Sequence, residues 1–416
     1  MNPKRIETNA LIVGAGPAGA STSIYLSKSG ITHIIIDKAS FPRDKICGDA
    51  CSGKTSYVIK NANPDWMEEI HTKTDTFNPA GGLVFIAPNG KSVDMPFPTT
   101  AQGKPLGFTV PRIDLDLFLF EKLDNRFATI WQEAQILSID KTEGMIEVLV
   151  QHGEDQYVIC TRLIVGADGE KSIVRKSLSP APPSPKASAV GLRAYYEGVT
   201  GLHEKGHIEL HFLPELLPGY LWIFPLSNGR ANVGVGMMSE DIRAKKINLR
   251  EQMLHALETN PSISARFTNA TLQGKIQGWG LPMSFKRDIV SGDHFILTGD
   301  AANLIDPFSG EGIGNALYSG MRAAEAILKA LESDRYDAAF LKEVYDDKLY
   351  ARIGGELKTS ALLQRLRRYP SLLNFVVNKA HKSPALKETI TGMFLDADLR
   401  KKWQQPSFYF NMLFNR

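Results

Sequence analysis

Three short stretches of the chain combine glycines with a single aspartate, as phosphate- and sugar-binding turns do. The first is Gly14-Ala15-Gly16-Pro17-Ala18-Gly19, which is followed by Asp37. Gly14 permits a tight turn, Gly16 lets the backbone approach a pyrophosphate, and Gly19 lets a helix pack closely on a strand. Asp37 is suited to accept a hydrogen bond from a ribose hydroxyl. The chemistry that these residues predict is the binding of a dinucleotide.

The apolar runs beside this turn predict the elements that position it. Ala10-Leu11-Ile12-Val13 and His33-Ile34-Ile35-Ile36 have the pattern of buried parallel strands, and the segment between Gly19 and Gly30 has a helical pattern. The first N–H groups of that helix would face the phosphates. Strand, glycines, helix, strand and acid follow one another in the order of a βαβ unit. A βαβ unit without a nucleotide is the alternative.

Two later stretches favour a flavin over a nicotinamide. Buried-strand patterns end at Asp168-Gly169 and again at Gly299-Asp300. Asp300 is placed to bind ribityl hydroxyls, and a helix N-cap is the alternative role for it. A second helix is expected to start at Gly312, Ile313 and Gly314. Its free N–H groups would stabilise negative charge on the pyrimidine edge of a reduced flavin. The sequence therefore predicts FAD as the cofactor.

On these motifs the chain resembles the glutathione-reductase-like FAD superfamily, in the branch that contains para-hydroxybenzoate hydroxylase. The matching segments are, in order, GAGPAG with Asp37, GADGEKSIVR and TGDAANLIDPFSGEGIG, over roughly residues 8 to 330. Val110-Pro111-Arg112-Ile113-Asp114-Leu115-Asp116 is similar to an element of that branch, which implies that Arg112 touches the FAD phosphate region. An ion pair of Arg112 with Asp114 or Asp116 is the alternative. The further FAD contacts that the motifs and the resemblance imply are Pro17, Ala18, Lys38, Arg43, Cys47, Gly48, Ala134, Asp168, Gly169, Gly299, Pro307 and Gly310.

A narrower resemblance is to the geranylgeranyl reductases. Tyr220-Leu221-Trp222-Ile223-Phe224-Pro225, followed after eight residues by Gly234-Val235-Gly236, is the YxWxFP…GxG pattern typical of that family. Phe41-Pro42-Arg43-Asp44-Lys45-Ile46-Cys47-Gly48 is also similar to the family's segment after the ribose-binding acid. The chain departs from the pattern at Asp49-Ala50-Cys51, where many members are glycine-rich, and at Glu311, where the superfamily often carries Gln. The resemblance implies reduction of isolated C=C bonds in a polyprenyl chain.

Cys47 is the residue that we expect to supply a proton in such a reaction. Hydride addition to an unactivated alkene needs a proton on the other carbon, so a positioned acid matters. By resemblance Cys47 lies near the isoalloxazine ring and either is that acid or shapes the site, and a buried inert cysteine is the alternative. Arg43 and Lys45 would lower the thiol pKa, and a thiolate cannot donate a proton. No cluster of His and Cys residues predicts a metal site.

Between the second and third flavin motifs the chain alternates as β-strands do. Strand patterns predict an antiparallel sheet that covers the flavin, at residues 192–196, 208–212, 220–224 and 231–237, with a turn at Asn228-Gly229. Strand alternation places Tyr220, Trp222 and Phe224 on one face. These three and Pro225 are the predicted substrate contacts, and an ordinary sheet core is the alternative.

The predicted fold class is α/β, α+β overall. It comprises a Rossmann-like FAD-binding domain, an inserted antiparallel-sheet substrate domain and a C-terminal helical region. We expect the FAD-binding domain over residues 1–75, 101–180 and 285–340, the substrate domain over 76–100 and 181–284, and the helical region over 341–416.

The C-terminal region is basic, with fourteen Lys or Arg against seven Asp or Glu over residues 341–416. Its helical patterns are expected to cap the substrate cavity and to pack on the FAD domain. Peripheral contact with an anionic membrane is an alternative role for its basic residues, namely Arg365, Arg367, Arg368, Lys401 and Lys402. An aromatic cluster at residues 408–414 has to be packed against something.

The composition restricts the classes of function. A net charge of +3 over 416 residues gives no support to nucleic-acid binding. Three cysteines form no disulfide framework and fit a reducing cytoplasm, and no apolar run is long enough to span a membrane. We expect a flavin reductase of a prenyl or other small-molecule substrate. An aromatic or quinone monooxygenase, a flavin-dependent halogenase and a flavin-binding module without catalysis are the alternatives.

Halogenases carry a similar WxWxIP element, in which Tyr220 and Phe224 replace Trp and Ile. That difference counts against halogenation. No second GxGxxG fingerprint provides a nicotinamide domain, so the electron donor is either NAD(P)H that binds transiently or a protein such as ferredoxin. The oligomeric state stays open.

Overall fold

The computed structural model describes residues 3–180 and 188–383. Its strands are β1 (Lys4–Val13), β2 (His33–Ile36), β3 (Ala50–Cys51), β4 (Asn78–Ala80), β5 (Gly82–Ile86), β6 (Ser92–Pro96), β7 (Gly107–Thr109), β8 (Ala128–Trp131), β9 (Ala134–Thr142), β10 (Met145–His152), β11 (Asp155–Gly166), β12 (Ser188–Glu197), β13 (Ile208–His211), β14 (Tyr220–Pro225), β15 (Arg230–Met238), β16 (Thr271–Pro282), β17 (Ser291–Gly292) and β18 (Phe295–Leu297). Its helices are α1 (Pro17–Lys28), α2 (Gly53–Ala62), α3 (Pro64–Thr72), α4 (Arg112–Glu121), α5 (Ile173–Leu178), α6 (Ser239–Lys245), α7 (Leu249–Thr259), α8 (Ser264–Phe267), α9 (Ile313–Ser333), α10 (Ala338–Leu341), α11 (Asp347–Leu366) and α12 (Pro370–Lys382). There are also 3₁₀ turns at Pro214–Leu216 and Gly299–Ala302 and a π turn at Lys342–Asp346. Lys401, Lys402 and the aromatic cluster at 408–414 lie outside the described residues.

The larger sheet contains the predicted βαβ unit. Its parallel strands run in the order β18-β11-β1-β2-β8, with β17 antiparallel at one edge. Strand β10 pairs antiparallel with β11, and β9 pairs antiparallel with β10. Parallel strands covered on both faces need continuous apolar sequence, and Leu11, Ile12 and Ile164 are fully buried. Helices α1 and α9 pack against each other beside this sheet. The α/β fold predicted from the sequence is confirmed.

The second sheet has the order β16-β12-β15-β14-β13-β5-β6 and includes the four predicted strands. In the turn between β14 and β15, Asn228 and Gly229 both have positive φ, which these residue types adopt more readily than others. The β13–β5 pair is parallel, so the sheet is mixed at this one position rather than purely antiparallel. The reason is that the β5–β6 hairpin joins from an earlier segment and no turn connects it to β13.

A small sheet, β3-β7-β4, links the two larger ones. Phe108 of β7 packs in the core of the larger sheet, whereas the Thr109 hydroxyl donates to the Pro225 carbonyl of β14. Strand β4 falls inside the range predicted for the substrate domain, yet it pairs in this small sheet. The predicted domain boundaries stay predictions.

The described C-terminal helices contact both large sheets. Leu349 and Ile353 of α11 belong to the core of the larger sheet. Leu373 and Val377 of α12 join Trp222 in the apolar cluster on one face of the second sheet. These helices therefore pack on the larger sheet, as expected, and on one face of the second sheet. That they cap a substrate cavity stays a prediction.

Asp346 is a buried carboxylate at the end of the π turn. It accepts hydrogen bonds from Ser291 Oγ at 2.6 Å and from the Val290 N–H at 3.3 Å. Burial raises the pKa of Asp346 from 3.8 to about 6. A raised carboxyl pKa means that the folded chain holds the proton more tightly, so this group favours folding below about pH 4 and loses that contribution as the pH rises to about 6.

Asp346→Asn removes this titration. We expect the unfolding free energy of the variant, relative to wild type, to rise by ~1–3 kcal/mol between pH 4 and pH 6. Urea unfolding at the two pH values measures the difference. A difference that is the same at both would contradict the assignment.

Candidate active site

The first glycine turn has the geometry of a dinucleotide site. Gly14 has a φ of +97°, and its N–H donates to the Ile36 carbonyl at 2.7 Å. A Cβ on Gly19 would lie 1.7 Å from the Gly14 carbonyl oxygen, so a side chain there would prevent α1 from starting this close to β1. Asp37 accepts from the Ala15 N–H at 2.8 Å. This bond fixes the carboxylate at the end of β2, where a ribose hydroxyl can donate to a remaining lone pair.

The start of α1 fits the pyrophosphate of FAD. Gly16 is the N-cap, no side chain caps the helix, and Pro17 and Ala18 are buried. A buried helix start without a cap leaves N–H groups that an anion satisfies. The Arg43 guanidinium adds positive charge, since its Nη2 would lie 3.2 Å from a Cβ on Gly16. Free N–H groups, small residues and a cation together suit a phosphate.

Asp116 is a fully buried carboxylate that joins two predicted FAD contacts. Arg112 donates to it from Nε and Nη2, both at 2.7 Å, and Arg43 Nη1 lies 3.0 Å from it. The ion pair considered as the alternative role for Arg112 is therefore present, although it is buried rather than on the surface. The contact of Arg112 with FAD stays a prediction.

Two further predicted contacts differ in position. Ala134, at the start of β9, is buried, and its N–H donates to the Asp37 carbonyl at 2.9 Å. Lys38 is exposed. The structure thus places Ala134 against Asp37 and leaves Lys38 on the surface.

The second flavin motif lies against the first. A Cβ on Gly14 would be 2.5 Å from the Ala167 carbonyl oxygen, and Gly169 has a positive φ. Asp168 Oδ2 accepts from the Ile173 N–H at 2.7 Å. Its Oδ1 is buried and has no partner within residues 3–180 and 188–383. An unsatisfied buried acceptor is costly, and a hydroxyl of the ligand would satisfy it.

The third flavin motif begins in the 3₁₀ turn after β18, where Gly299 has a positive φ. Asp300 Oδ2 lies 2.8 Å from Lys45 Nζ. The N-cap of α9 is Gly312 rather than Asp300, and no side chain caps the helix. The predicted helix start at Gly312, Ile313 and Gly314 is therefore confirmed. The Glu311 carboxylate, just before that start, accepts from Ser52 Oγ.

Tyr220, Trp222 and Phe224 form an aromatic row on one face of β14, as strand alternation predicted. Adjacent ring centroids in the row are 6.1 Å apart. Trp222 lies over Gly234 of β15, where a Cβ would be 2.2 Å from Trp222 Cζ2. This contact explains why a glycine accompanies the tryptophan in the YxWxFP…GxG pattern.

The aromatic row contacts two segments that adjoin flavin motifs. A Cβ on Gly48 would lie 3.1 Å from Phe224 Cε2 and 3.7 Å from Trp222 Nε1. The Tyr220 hydroxyl donates to the Ser309 carbonyl at 3.0 Å, next to Gly310 in the third motif. The predicted Cys47-Gly48 segment and the YxWxFP segment, distant in sequence, therefore meet beside the predicted flavin pocket.

Cys47 is half-buried between Arg112 and the aromatic row. Its sulfur faces the Arg112 guanidinium and the Asp49 N–H, and its carbonyl accepts from Asn232 Nδ2 at 2.8 Å. Desolvation is the largest effect on the thiol and raises the pKa of Cys47, while Arg112 lowers it less. Cys47 is therefore a thiol at neutral pH.

Arg43 and Lys45 do not bring the pKa of Cys47 below its ordinary value. Arg43 is engaged by Asp116 and Lys45 by Asp300. Lys45 lowers the pKa of Cys47 by a smaller amount than desolvation of the sulfur raises it. The thiol keeps the proton that an acid needs.

A buried polar network behind Cys47 was not predicted. The fully buried Asp49 accepts from the Tyr195 hydroxyl at 2.7 Å and from Asn232 Nδ2 at 2.8 Å. Asn232 Oδ1 also accepts from Trp222 Nε1 at 2.8 Å. One asparagine therefore holds the aromatic row, the Cys47 backbone and Asp49 together. The available signal was Asp49 itself, which we noted only as a departure from a family pattern.

Arg367 corrects one part of the membrane hypothesis. Its side chain is 5% exposed, lies over the rings of Tyr220 and Phe308, and donates to the Pro307 carbonyl at 3.2 Å. It cannot reach a lipid surface, because α11 ends by turning it inward. Arg365 and Arg368 instead line a cavity of about 500 Å³ beside the end of α11. The aromatic row is not part of that cavity.

At the far edge of the second sheet, the structure brings together three residues that the sequence did not single out, namely Asp94, His203 and His207. The two imidazole rings stack with centroids 3.7 Å apart, and His207 Nδ1 lies 2.6 Å from Asp94 Oδ1. Rings stacked face to face do not direct their nitrogen lone pairs at one point. The arrangement is that of a hydrogen-bonded pair with a stacked neighbour.

Comparison with known proteins decides the family. The model of the FAD binding domain family matches residues 7–343. The chain belongs to this family. It is accordingly an FAD-dependent oxidoreductase, as its motifs predicted, and its cofactor is FAD.

Relatives of this oxidoreductase are reductases. A digeranylgeranylglycerophospholipid reductase of Methanococcus vannielii is 28% identical over 364 residues, which are 86% of this chain and 87% of that protein. A menaquinone reductase of Mycobacterium tuberculosis is 28% identical over 389 residues, 88% of this chain and 85% of that protein. Among solved structures, a geranylgeranyl bacteriochlorophyll reductase-like protein of Thermoplasma acidophilum has a TM-score of 0.80 at 20% identity and covers 96% of this chain and 99% of its own. Flavin-dependent halogenases share the fold as well.

Asp37 should control FAD affinity. Asp37→Asn removes the charge of the carboxylate that accepts from the Ala15 N–H and that we expect to accept from a ribose hydroxyl. We therefore expect FAD to bind about 10–100-fold more weakly, the effect of one charge-assisted hydrogen bond. The dissociation constant is measured by titrating the apoprotein with FAD and following the flavin fluorescence. Asp65→Asn, at an exposed position on α3, is the control. Equal affinities in the two variants would contradict the role of Asp37.

Proposed function

We propose that this oxidoreductase saturates isolated C=C bonds of a polyprenyl chain. The observation that carries the proposal is the contact between the aromatic row and the Cys47-Gly48 segment beside the flavin motifs. An apolar aromatic face suits a hydrocarbon chain, and a neutral thiol next to it suits the donation of a proton. The relatives named for reduction of digeranylgeranylglycerophospholipid and menaquinone support the same class of reaction.

FAD, when bound and reduced, supplies the hydride. The chain supplies the remaining requirements. Tyr220, Trp222 and Phe224 hold the alkene and exclude water from it. Cys47 delivers the proton, and the thiolate that remains is stabilised by the Arg112 guanidinium and the Asp49 N–H, which already face its sulfur. We propose that Pro225 fixes the end of β14, which carries the aromatic row, because the Pro225 carbonyl accepts from Asn78 Nδ2 at 3.2 Å.

The contacts of FAD with individual residues are part of the proposal. The α1 start, with Gly14, Gly16 and Gly19, holds the pyrophosphate, and Asp37 holds the ribose. Asp168 and Asp300 take hydroxyl groups, and the α9 start faces the pyrimidine edge. Lys45 Nζ lies 2.8 Å from Asp300 Oδ2, so a ribityl hydroxyl of FAD would share that carboxylate with Lys45.

The electron donor and the place of reaction are finer proposals. We propose NAD(P)H or a ferredoxin-type protein as the donor. A prenyl lipid as substrate also implies peripheral contact with a membrane from the cytoplasmic side. No helix among the described residues is long and apolar enough to cross a membrane.

An anaerobic reaction tests the proposal. The FAD-loaded protein is photoreduced and incubated with geranylgeranyl diphosphate or a polyprenyl quinone, and the masses of the products are measured by mass spectrometry. We expect the mass of two hydrogen atoms to be gained for each saturated bond. A product that forms only with oxygen and gains one oxygen atom would instead establish a monooxygenase, and a halide-dependent product a halogenase.

A further inference from the structure

Asp49 is coupled to Cys47 through the backbone and a shared partner. Asn232 Nδ2 donates to both the Cys47 carbonyl and Asp49 Oδ2, each at 2.8 Å. The Asp49 N–H faces the Cys47 sulfur. Asp49 has a φ of +65°, an uncommon conformation outside glycine. The surrounding bonds must offset the cost of this conformation, so the position of the carboxyl group is specified by the fold.

The hydrogen bonds of the Asp49 carboxyl group are uneven between its two oxygens. The side chain is 0% exposed. Both donors, the Tyr195 hydroxyl and Asn232 Nδ2, go to Oδ2, while Oδ1 is buried without a partner in the described part of the chain. A buried carboxylate normally accepts hydrogen bonds at both oxygens. Because Oδ1 accepts none from the described residues, the neutral acid is less costly here than the carboxylate. Burial also raises the pKa of Asp49 to about 7.

The charged and titratable groups that face Asp49 come from three elements and its own segment. They are Arg193 and Tyr195 on β12, Arg112 on α4, and Cys47 and Cys51 beside it, and the neutral Asn232 lies on β15. Arg193 Nη2 is bound to Asp44 at 2.8 Å, and Arg112 is bound to Asp116. The hydrogen-bonded neighbour of Asp49 that reaches toward solvent is the partly exposed Tyr195.

We propose that Asp49 is the proton store for Cys47 and that Tyr195 refills it from water. The proposal rests on the proposed function, in which the S–H bond of Cys47 breaks as a C–H bond forms on the substrate. The O–H bond of Asp49 then breaks as the S–H bond of Cys47 forms again. The carboxylate that results is held by Tyr195 and Asn232. A proton from water passes through the Tyr195 hydroxyl to Asp49, so one proton enters the protein for each proton delivered.

The first test measures the coupling of the two groups without any substrate. Alkylation of Cys47 by iodoacetamide is followed against pH in the FAD-loaded protein by peptide mass spectrometry. A carboxylate at Asp49 raises the pKa of Cys47, so Asp49→Asn should move the alkylation midpoint to lower pH by about one unit. Asp94→Asn, which changes a carboxylate bonded to His207 on the far edge of the second sheet, should leave the midpoint unchanged. Equal midpoints in wild type and Asp49→Asn would overturn the proposal.

The second test separates a proton store from a structural role. With geranylgeranyl diphosphate at pH 6, below the pKa of Asp49, the first turnover of reduced Asp49→Asn should stay within about threefold of wild type, because Cys47 is already protonated. The steady-state rate should fall about tenfold or more, because the thiol is refilled slowly. Tyr195→Phe, which keeps the carboxyl group, should show the same split and serves if Asp49→Asn does not fold. Equal losses in both rates would show a structural role and overturn the proposal.

The outcomes also distinguish this proposal from the proposed function. If no variant and no wild-type protein saturates the alkene, the proposed function fails. The alkylation midpoint then still decides whether the charge of Asp49 affects the pKa of Cys47. If wild type is active and neither Asp49→Asn nor Tyr195→Phe shows the split, the proton store alone fails.

Discussion

Replacement of Cys47 by alanine should leave FAD bound and reducible but slow alkene reduction by about 10²–10⁴-fold, the range for loss of a positioned general acid. The reason is that desolvation keeps Cys47 protonated, while Arg112 and the Asp49 N–H face the sulfur that becomes negative when the proton leaves. Stopped-flow absorbance of reduced flavin mixed anaerobically with geranylgeranyl diphosphate gives the single-turnover rate. Cys47→Ser should also lower the single-turnover rate, since a hydroxyl is a weaker acid than a thiol.

Cys51→Ala is the matched control for this experiment. Cys51 is also a free cysteine with a raised pKa, but it is 3% exposed and lies in β3, paired with β7. Its loss should leave the single-turnover rate unchanged and cost only packing energy. If Cys47→Ala reduces the alkene as fast as Cys51→Ala does, Cys47 has no part in the proton transfer.

Local motifs account for what could be predicted from the sequence. Gly14, Gly19 and Asp37 fall within one βαβ unit, where spacing along the chain fixes spacing in the fold, and the structure has the predicted turn. The start of α9 at Gly312 follows from the same kind of local pattern. Period-two alternation likewise placed Tyr220, Trp222 and Phe224 on one face of a strand.

Contacts between distant segments account for what was missed. Asp49 lies 146 residues from Tyr195 and 183 residues from Asn232 along the chain, and no periodicity links it to them. The ion pairs of Arg43 and Lys45 are also long-range, so the sequence showed two cations near Cys47 but not the carboxylates that pair with them. Arg367 shows the same limit, because its basic neighbours suggested a surface and only the packing of Tyr220 and Phe308 shows that it is inside.

The glycines of the YxWxFP…GxG pattern differ in what surrounds them. A Cβ at Gly234 would lie 2.2 Å from Trp222 Cζ2 and 2.2 Å from the Leu192 carbonyl oxygen. The carbonyl belongs to the neighbouring strand β12 and cannot move without disturbing the ladder. A Cβ at Gly236 would lie 3.6 Å from Trp222 Cζ3, an ordinary contact. The two positions, two residues apart on one strand, therefore form a matched pair.

Gly234→Ala should consequently lower the unfolding free energy by about 1–3 kcal/mol, the cost of overpacking a buried site. It should also displace the Trp222 ring and break the 2.8 Å bond from Trp222 Nε1 to Asn232. We expect FAD content to be unchanged and the KM for geranylgeranyl diphosphate to rise, because the aromatic row moves while the flavin motifs do not. Gly236→Ala should be neutral or slightly stabilising, since alanine restricts the unfolded chain more than glycine does. Urea unfolding and KM are measured on both variants. Similar unfolding free energies and KM values for the two would show that the position of the Trp222 ring does not depend on Gly234.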